Sequence, residues 1–474
     1  MKKLLLITGV IGLFIGCNSV SKPKGPPNIL FIAIDDLRPE LNCYGASHIK
    51  SPNIDKLASQ GVMFTEAYCN VPVCGASRAS LLTGARPTRH RFINYFTRVD
   101  NDYPEAVTLP QLFRQNGYYT VSNGKIFHDI DDTENRSWDE NWRPFQSNSW
   151  RDYQDEKNIA LDNSDTTRGP AYENLEIADT AYFDGKIANK AIADLKKLKQ
   201  QDKPFFLAVG FLKPHLPFNA PQKYWDMYDP DDISLPKNYY EPKNAPDEAI
   251  HNFGELRAYA EIPKKGPLSD ELAHKLIHGY YACVSYTDAQ IGRVMQALEE
   301  EGLQENTIVI LWGDHGWNLG EHTLWCKHAN FKTSLQVPML LAGPGIPANT
   351  KIKELVEFVD IYPTLAALAD LEPPVSQLEG ASMVSLLHDK NAEWKNQVVS
   401  KYHDGVSIKT DDYLYTEWSR TDEDVYARML YNHVKDPQEN VNVAERPKNK
   451  ELVDSLKKEL MQHWGEDFNK EIKK

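Results

Sequence analysis

The sequence predicts an α/β protein: a large, mostly parallel sheet flanked by helices, followed by a smaller α+β subdomain. Two observations carry this. First, four short apolar runs each lead straight into polar residues able to do chemistry. They are Asn28-Ile-Leu-Phe-Ile-Ala-Ile34 before Asp35 and Asp36, Tyr118-Tyr-Thr-Val121 before Lys125 and His128, Pro204-Phe-Phe-Leu-Ala-Val-Gly-Phe-Leu212 before Lys213 and His215, and Thr307-Ile-Val-Ile-Leu-Trp312 before Asp314 and His315. Continuous apolar runs suit strands buried on both faces of a parallel sheet. Second, helical patterns lie between them: Asp55 to Gln60 with Gly61 as a stop, Leu109 to Asn116, Asp179 to Lys199, and a long stretch within Ser269 to Gly302. Strands alternating with helices give a doubly wound architecture. Ligands in such folds bind outside the carboxyl ends of the strands, which is where all four runs place their polar groups.

At 474 residues, with 41% hydrophobic and 25% charged residues, the chain is long enough for a large domain plus a companion. The net charge of −14 argues against a general nucleic-acid binder. It leaves room for an anionic small substrate, because a local basic pocket or a metal ion reverses the field of the whole molecule.

Residues 1–17 read as a targeting segment. Lys2 and Lys3 precede an apolar run, Leu4 to Ile15, too short to span a bilayer. Phe14-Ile-Gly-Cys17 resembles a bacterial lipoprotein cleavage box, with Cys17 as the lipid-bearing residue; simple secretion is the alternative. The expected location is therefore the periplasm or the outer-membrane surface, with a membrane contact through the anchor. Residues 18–27 form a polar, Pro-rich linker, residues 28–384 the main α/β domain and residues 385–474 the C-terminal subdomain. In the latter, Val398-Val399, Val406-Ser-Ile408 and Tyr413 to Trp418 read as antiparallel strands and Glu451 to Trp464 as a closing helix. Residues 129–175 and 216–265 lack periodicity and read as surface insertions that shape a pocket. Cys43, Cys69, Cys283 and Cys326 are open to three disulfide pairings or to burial as free thiols.

Asp35 and Asp36, just past a strand end, can both turn toward one ion. Paired carboxylates repel unless a cation or proton intervenes, and an all-oxygen site favours a hard ion. Taken alone, the pair could equally cap a helix. Asp314-His315-Gly316 could add a carboxylate to the same place. Cys74 precedes a short helical pattern, Ser77 to Leu82, stopped by Gly84. A helix N-terminus favours anions and Arg78 adds a fixed charge, so Cys74 reads as an anion-facing, reactive cysteine.

Cys74-Gly-Ala76-Ser-Arg78 followed by Leu82-Thr-Gly84 closely resembles the signature of type I sulfatases, in which the Cys is oxidised to formylglycine (3-oxoalanine) by a maturation enzyme that reads this motif. Ala85 departs from the pattern, where Arg is more usual; Arg86 and Pro87 follow it. The resemblance extends along most of the chain and is greatest to the iduronate-2-sulfatase branch, through Asp35-Asp-Leu-Arg-Pro39, Cys43-Tyr-Gly45, Ser51-Pro-Asn-Ile-Asp55, Gly124-Lys-Ile-Phe-His128, Lys213-Pro-His-Leu-Pro-Phe218 and Asp314 to His322.

The resemblance implies an alkaline-phosphatase-like fold and a sulfuric ester hydrolase. It implies calcium held by Asp35, Asp36, Asp314 and His315 with the modified Cys74. A hydrated formylglycine would attack sulfur through one hydroxyl, and the other would drive release of sulfate. Arg78, Lys125 and Lys327 would be the cations, His128 an acid–base group, and His215 a group touching the sulfate or protonating the leaving oxygen. The implied substrate is a sulfated, uronic-acid-containing oligosaccharide met during polysaccharide degradation, from a glycosaminoglycan or from ulvan, attacked at a chain end, with Lys327 at the sugar's carboxylate and Trp317 either at the sugar or simply packing. The rival readings are a phosphodiesterase or phosphonate hydrolase of the same superfamily and a non-catalytic, glycan-binding surface lipoprotein.

Overall fold

The computed structural model describes residues 25–145, 150–164, 167–389, 391–420 and 424–470, so the targeting segment and Cys17 lie outside the described residues. Nine strands form one sheet: β1 (Asn28–Ile34), β2 (Gly61–Tyr68), β3 (Tyr119–Gly124), β4 (Glu140–Trp142), β5 (Phe205–Phe211), β6 (Thr307–Gly313), β7 (Gln336–Ala342), β8 (Thr350–Ile352) and β9 (Val356–Glu357). The spatial order is β8-β2-β7-β6-β1-β5-β3-β4, with β9 also pairing with β2. Strands β6, β1, β5, β3 and β4 run parallel, and only β7 is antiparallel to its neighbours β6 and β2. The sheet is therefore mostly parallel, as predicted.

The four predicted runs became β1, β3, β5 and β6. Gly61, read as a helix stop, also opens β2 directly after the helix α1 (Pro52–Gln60). A Cβ at position 61 would lie 2.2 Å from Leu341 O on the neighbouring strand, so the glycine also allows that close approach. The aperiodic stretch 129–175 is not wholly peripheral, because β4 within it forms one edge of the sheet.

Alternate side chains of the strands point to opposite faces, and both faces are covered. Leu30, Ile32, Ile34, Leu207, Val209 and Leu311 pack with α1 and with the long helices α4 (Phe183–Leu198) and α5 (Asp270–Glu300). Ile29, Phe31, Ala33, Phe206, Ile310 and Trp312 pack with α2 (Cys74–Thr83), α3 (Leu109–Gln115) and α6 (Ile361–Leu368). Each such fully buried Leu, Ile or Phe contributes about 1.5–3 kcal/mol of transfer free energy.

The C-terminal subdomain is a meander of β10 (Gln397–Tyr402), β11 (Gly405–Thr410), β12 (Tyr413–Ser419) and β13 (Val425–Asn432), covered on one face by α7 (Lys450–Lys470). Val399, Ile408, Tyr415 and Leu430 meet Leu456, Leu460 and Trp464 of that helix. The other face packs through Trp418, Met429 and Tyr431 on Leu324, Ala329 and Phe331, the segment that carries Lys327. Cys43, Cys69, Cys74, Cys283 and Cys326 are all free thiols, which resolves the open choice against disulfides among the described residues.

Candidate active site

Strand register brings the site together. Ile34 at the end of β1 pairs with Gly313 of β6 on one side and Phe211 of β5 on the other. Asp35, Asp36 and Asp314 therefore leave the sheet at one level, and Asp36 N donates to Asp314 Oδ1 at 2.9 Å. Asp36 takes a left-handed φ of 63°, which turns its side chain back toward its neighbour. Cys326 and His328 are also left-handed (69° each), so backbone strain gathers at the loops around these carboxylates. Lys125 enters from the end of β3 because Gly124 and Gly210 face each other in register. A Cβ on Gly210 would sit 2.1 Å from Lys125 O, so only glycine allows this approach.

Cys74 is the first residue of α2, beneath these strand ends, and is 3% exposed. Its Sγ lies 3.2 Å from His315 Nε2 and 3.8 Å from Asp36 Oδ1. His315 Nδ1 donates to Gly316 O at 2.9 Å, which turns Nε2 toward Cys74 and the carboxylates of Asp36 and Asp314. Burial, with Asp35 adding to it, pushes the Cys74 thiol well above its ordinary value.

The cations are arranged in two ranks. Arg78 is fully buried, with Nε 2.9 Å from Asp314 Oδ2, Nη2 3.1 Å from Asp35 Oδ1 and Nη1 donating to the carbonyls of Lys125 and Ile126. It clamps two carboxylates in place. Lys125 Nζ lies 2.6 Å from Asp35 Oδ2, and Lys327 Nζ 3.0 Å from Asp36 Oδ1. Burial opposes ionisation of Asp35, but Lys125, His215 and Arg78 outweigh it and hold that carboxyl well below the usual range. At Asp36 burial wins over His215 and Lys327, and the carboxyl sits above its ordinary value. Three carboxylates, Asp35, Asp36 and Asp314, meet here, and such an oxygen-rich set fits a hard divalent cation. Asp35, Asp36, Cys74 and His215 offer ligand atoms within 4.8 Å of one another, as do Cys74, Asp314 and His315.

The two predicted acid–base histidines sit differently. His128 has a buried Nδ1 without a hydrogen-bond partner, and burial together with Lys125 holds the ring well below its ordinary value. His215 Nδ1 faces Leu216 O at 2.5 Å, while Nε2 faces Glu255 Oε1 at 3.1 Å and Asp36 Oδ2 at 3.8 Å. With acceptors at both nitrogens, His215 is placed as a donor. Trp317, read either as a sugar contact or as packing, is 1% exposed and packs against Tyr280 and Phe218, with Lys327 Nζ 5.0 Å above its ring. It is a packing residue and not a sugar contact.

Two residues of the insertions enter the site without having been singled out. Glu255 bridges His215 and Lys327, at 3.1 and 3.0 Å. Burial works against its charge, but Lys327 and His215 prevail and hold it well below the usual carboxylate range. Its segment is self-braced: Arg257 donates to the carbonyls of Asn252, Pro263 and Gly266 and lies 3.9 Å over the ring of Phe253. Arg143 donates to the carbonyls of Gly124, Phe127 and His128 and so fixes the loop that carries Lys125 and His128. Burial, reinforced by Arg78, lowers it to about 10. A Glu255→Gln variant keeps the shape and removes the charge. A charge-assisted hydrogen bond is worth about 1.5–3 kcal/mol, so the expected result is a fall in kcat/KM of roughly ten- to a hundredfold, with an unchanged Tm. Wild-type kinetics in this variant would remove Glu255 from the catalytic site.

The sulfatase family profile matches residues 27–371, and the profile described as N-sulphoglucosamine sulphohydrolase, C-terminal, matches residues 320–466. Iduronate 2-sulfatase of Mus musculus is 32% identical to the chain, over 91% of this chain and 93% of that one. Ulvan-active sulfatase of Formosa agariphila is 29% identical over 93% and 82%. A solved structure in complex with its substrate D-glucosamine-2-N,6-O-disulfate superposes with a TM-score of 0.75 at 22% identity, over 94% of this chain and 98% of that one, and shows the same fold. The match of one profile to most of the chain, with relatives at this identity along almost its whole length, makes the chain a member of the sulfatase family.

Proposed function

We propose that the protein is a calcium- and formylglycine-dependent sulfatase that removes sulfate from uronic-acid-containing oligosaccharides. The observation that carries this is the convergence of Asp35, Asp36 and Asp314 on Cys74 at the N-terminus of α2, with Lys125 and Lys327 on either side. Calcium, held by the three Asp residues with His315 and residue 74, would supply positive charge at the sulfate oxygens, and formylglycine at position 74 would supply the nucleophilic hydroxyl. The rest is work for the chain's own side chains. Lys125 and Lys327 neutralise the transferring group, in a site dry enough for their charge to act strongly. His128, neutral and with Nδ1 unpartnered, takes up a proton beside residue 74. His215, with acceptors on both nitrogens, donates to the leaving oxygen. Arg78 holds Asp35 and Asp314 where they are needed.

Cationic Lys125 and Lys327, where a second metal would need more His and Asp ligands, favour sulfate over the phosphodiester or phosphonate chemistry of the superfamily. The uronate assignment rests on similarity to the iduronate and ulvan enzymes, and the buried position of residue 74 supports action at chain ends. Export and a lipid anchor at Cys17 rest on the N-terminal sequence; no helix of the described residues is long and apolar enough to cross a membrane. The test is sulfate release from a panel of unsaturated heparin and chondroitin disaccharides and ulvan-derived oligosaccharides. Release from one of the uronate-containing fragments is expected. Activity confined to neutral sugar sulfates would overturn the uronate assignment, and release only from internal positions of intact polymer would overturn end-on action.

A further inference from the structure

Four large apolar side chains that face solvent come from two neighbouring loops beside the catalytic pocket: Ile93, Tyr95 (51% exposed), Phe96 (70%) and Ile130. The loops are fastened to each other. Arg98 pairs with Asp131 at 3.0 Å and Asp129 at 3.5 Å, and Val99 N and Asp100 N donate to the carboxylate of Asp132. The aromatic loop is also braced from within, since Phe96 N donates to Asn94 Oδ1 at 2.8 Å and Phe92 N to Asp102 Oδ2 at 3.0 Å. The rings of Tyr95 and Phe96 lie 4.0 Å apart at 36°, forming one continuous aromatic surface.

The position of this surface is set by the catalytic helix. A Cβ on Gly75, the residue after Cys74, would stand 2.6 Å from Tyr95 O, so the loop rests directly on the N-terminus of α2. The Tyr95 ring is 6.3 Å from the ring of His128. The rings therefore stand beside both the N-terminus that carries residue 74 and the acid–base candidate His128. Exposed apolar clusters on a folded surface mark a binding partner. Flat, rigid aromatic rings with little side-chain entropy to lose suit the apolar C–H face of a pyranose, whose hydroxyls stay in water.

We propose that Tyr95 and Phe96 form a stacking platform for the sugar unit next to the sulfated one. This rests on the saccharide reading of the substrate and adds to it a second subsite on the leaving-group side. It makes the enzyme selective for oligosaccharides over sulfated monosaccharides, because only the former reach the platform.

The test compares Phe96→Ala and Tyr95→Ala with the wild-type protein on two probes: a small aryl sulfate, which fills only the pocket around residue 74, and a sulfated uronate-containing tetrasaccharide. Phe96 is largely exposed and its truncation leaves the core intact. The expected result is aryl sulfate turnover within twofold of wild type and a roughly tenfold loss of kcat/KM on the tetrasaccharide, carried by KM and equivalent to about 1.4 kcal/mol. Tetrasaccharide kinetics untouched by both substitutions would overturn the platform alone. Equal losses on both probes would also overturn it, by showing that the loop acts on the catalytic centre. A wild-type enzyme that cleaves the aryl sulfate and no saccharide would overturn the saccharide reading and the platform with it. A dimer seen by sedimentation and abolished by Phe96→Ala, with saccharide kinetics unchanged, would assign the patch to a second copy of the chain instead.

Discussion

Replacing Cys74 by alanine is expected to abolish sulfate-ester turnover, with a loss on the order of 10⁶-fold, the scale seen when a hydrolase loses its nucleophile, while Tm stays within a few degrees. The contrast follows from where the side chain sits. Sγ is a small group between His315 Nε2 and Asp36 Oδ1 at the first position of α2, and it holds no part of the core together. Cys74 stands in the segment that resembles the type I sulfatase signature, so formylglycine is the nucleophile expected there. Active protein should therefore show, by intact mass and by mass of the peptide containing residue 74, the oxidation of the CH2–SH side chain to an aldehyde: sulfur and two hydrogens lost, one oxygen gained. Fully active protein carrying an unmodified Cys74, or a Cys74→Ala variant that turns over at the wild-type rate, would sink the mechanism.

How much of this was legible in the sequence follows from how each element writes itself. Strands β1, β5 and β6 are buried on both faces, so they appear as unbroken apolar runs, and the residues that end them are the residues of the site. Asp35, Asp36, Asp314, Lys125, His128 and His215 were visible for that reason, and the motif around Cys74 because it is one contiguous stretch of sequence. Strands β2 and β7 were not identified: β2 follows α1 with no linker, and β7 is an antiparallel strand inside an otherwise parallel pattern. Glu255 was invisible because its meaning depends on His215 and Lys327, 40 and 72 residues away, and its four-residue helix carries no periodicity. Arg143 bonds only to carbonyls of the Gly124–His128 segment, a role no composition reveals. For Trp317 the sequence left two readings, sugar contact or packing, because its place in a strong motif suggested a ligand contact; the residue packs beneath Lys327.

The metal makes the second large prediction, and it has a readout apart from catalysis. In the carboxylate cluster, Asp35 and Asp314 share Arg78, but Asp36 is fully buried and its carboxyl is raised by burial and by Asp35. A dication binding there relieves that repulsion only in the folded state. Binding to the folded state alone stabilises by RT ln(1 + [L]/Kd), about 2.7 kcal/mol at a hundredfold excess over Kd. Protein stripped with a chelator should lose activity and melt at a lower temperature, and calcium should restore both, better than zinc does. Asp36→Asn should remove the calcium-dependent rise in Tm and most of the activity. Asp314→Asn should lose activity too, but at a cost in stability even without metal, since Arg78 is left with one buried carboxylate instead of two. A Tm and a rate indifferent to calcium would refute the metal assignment, and rescue by zinc alone would shift the site toward phosphatase-like chemistry.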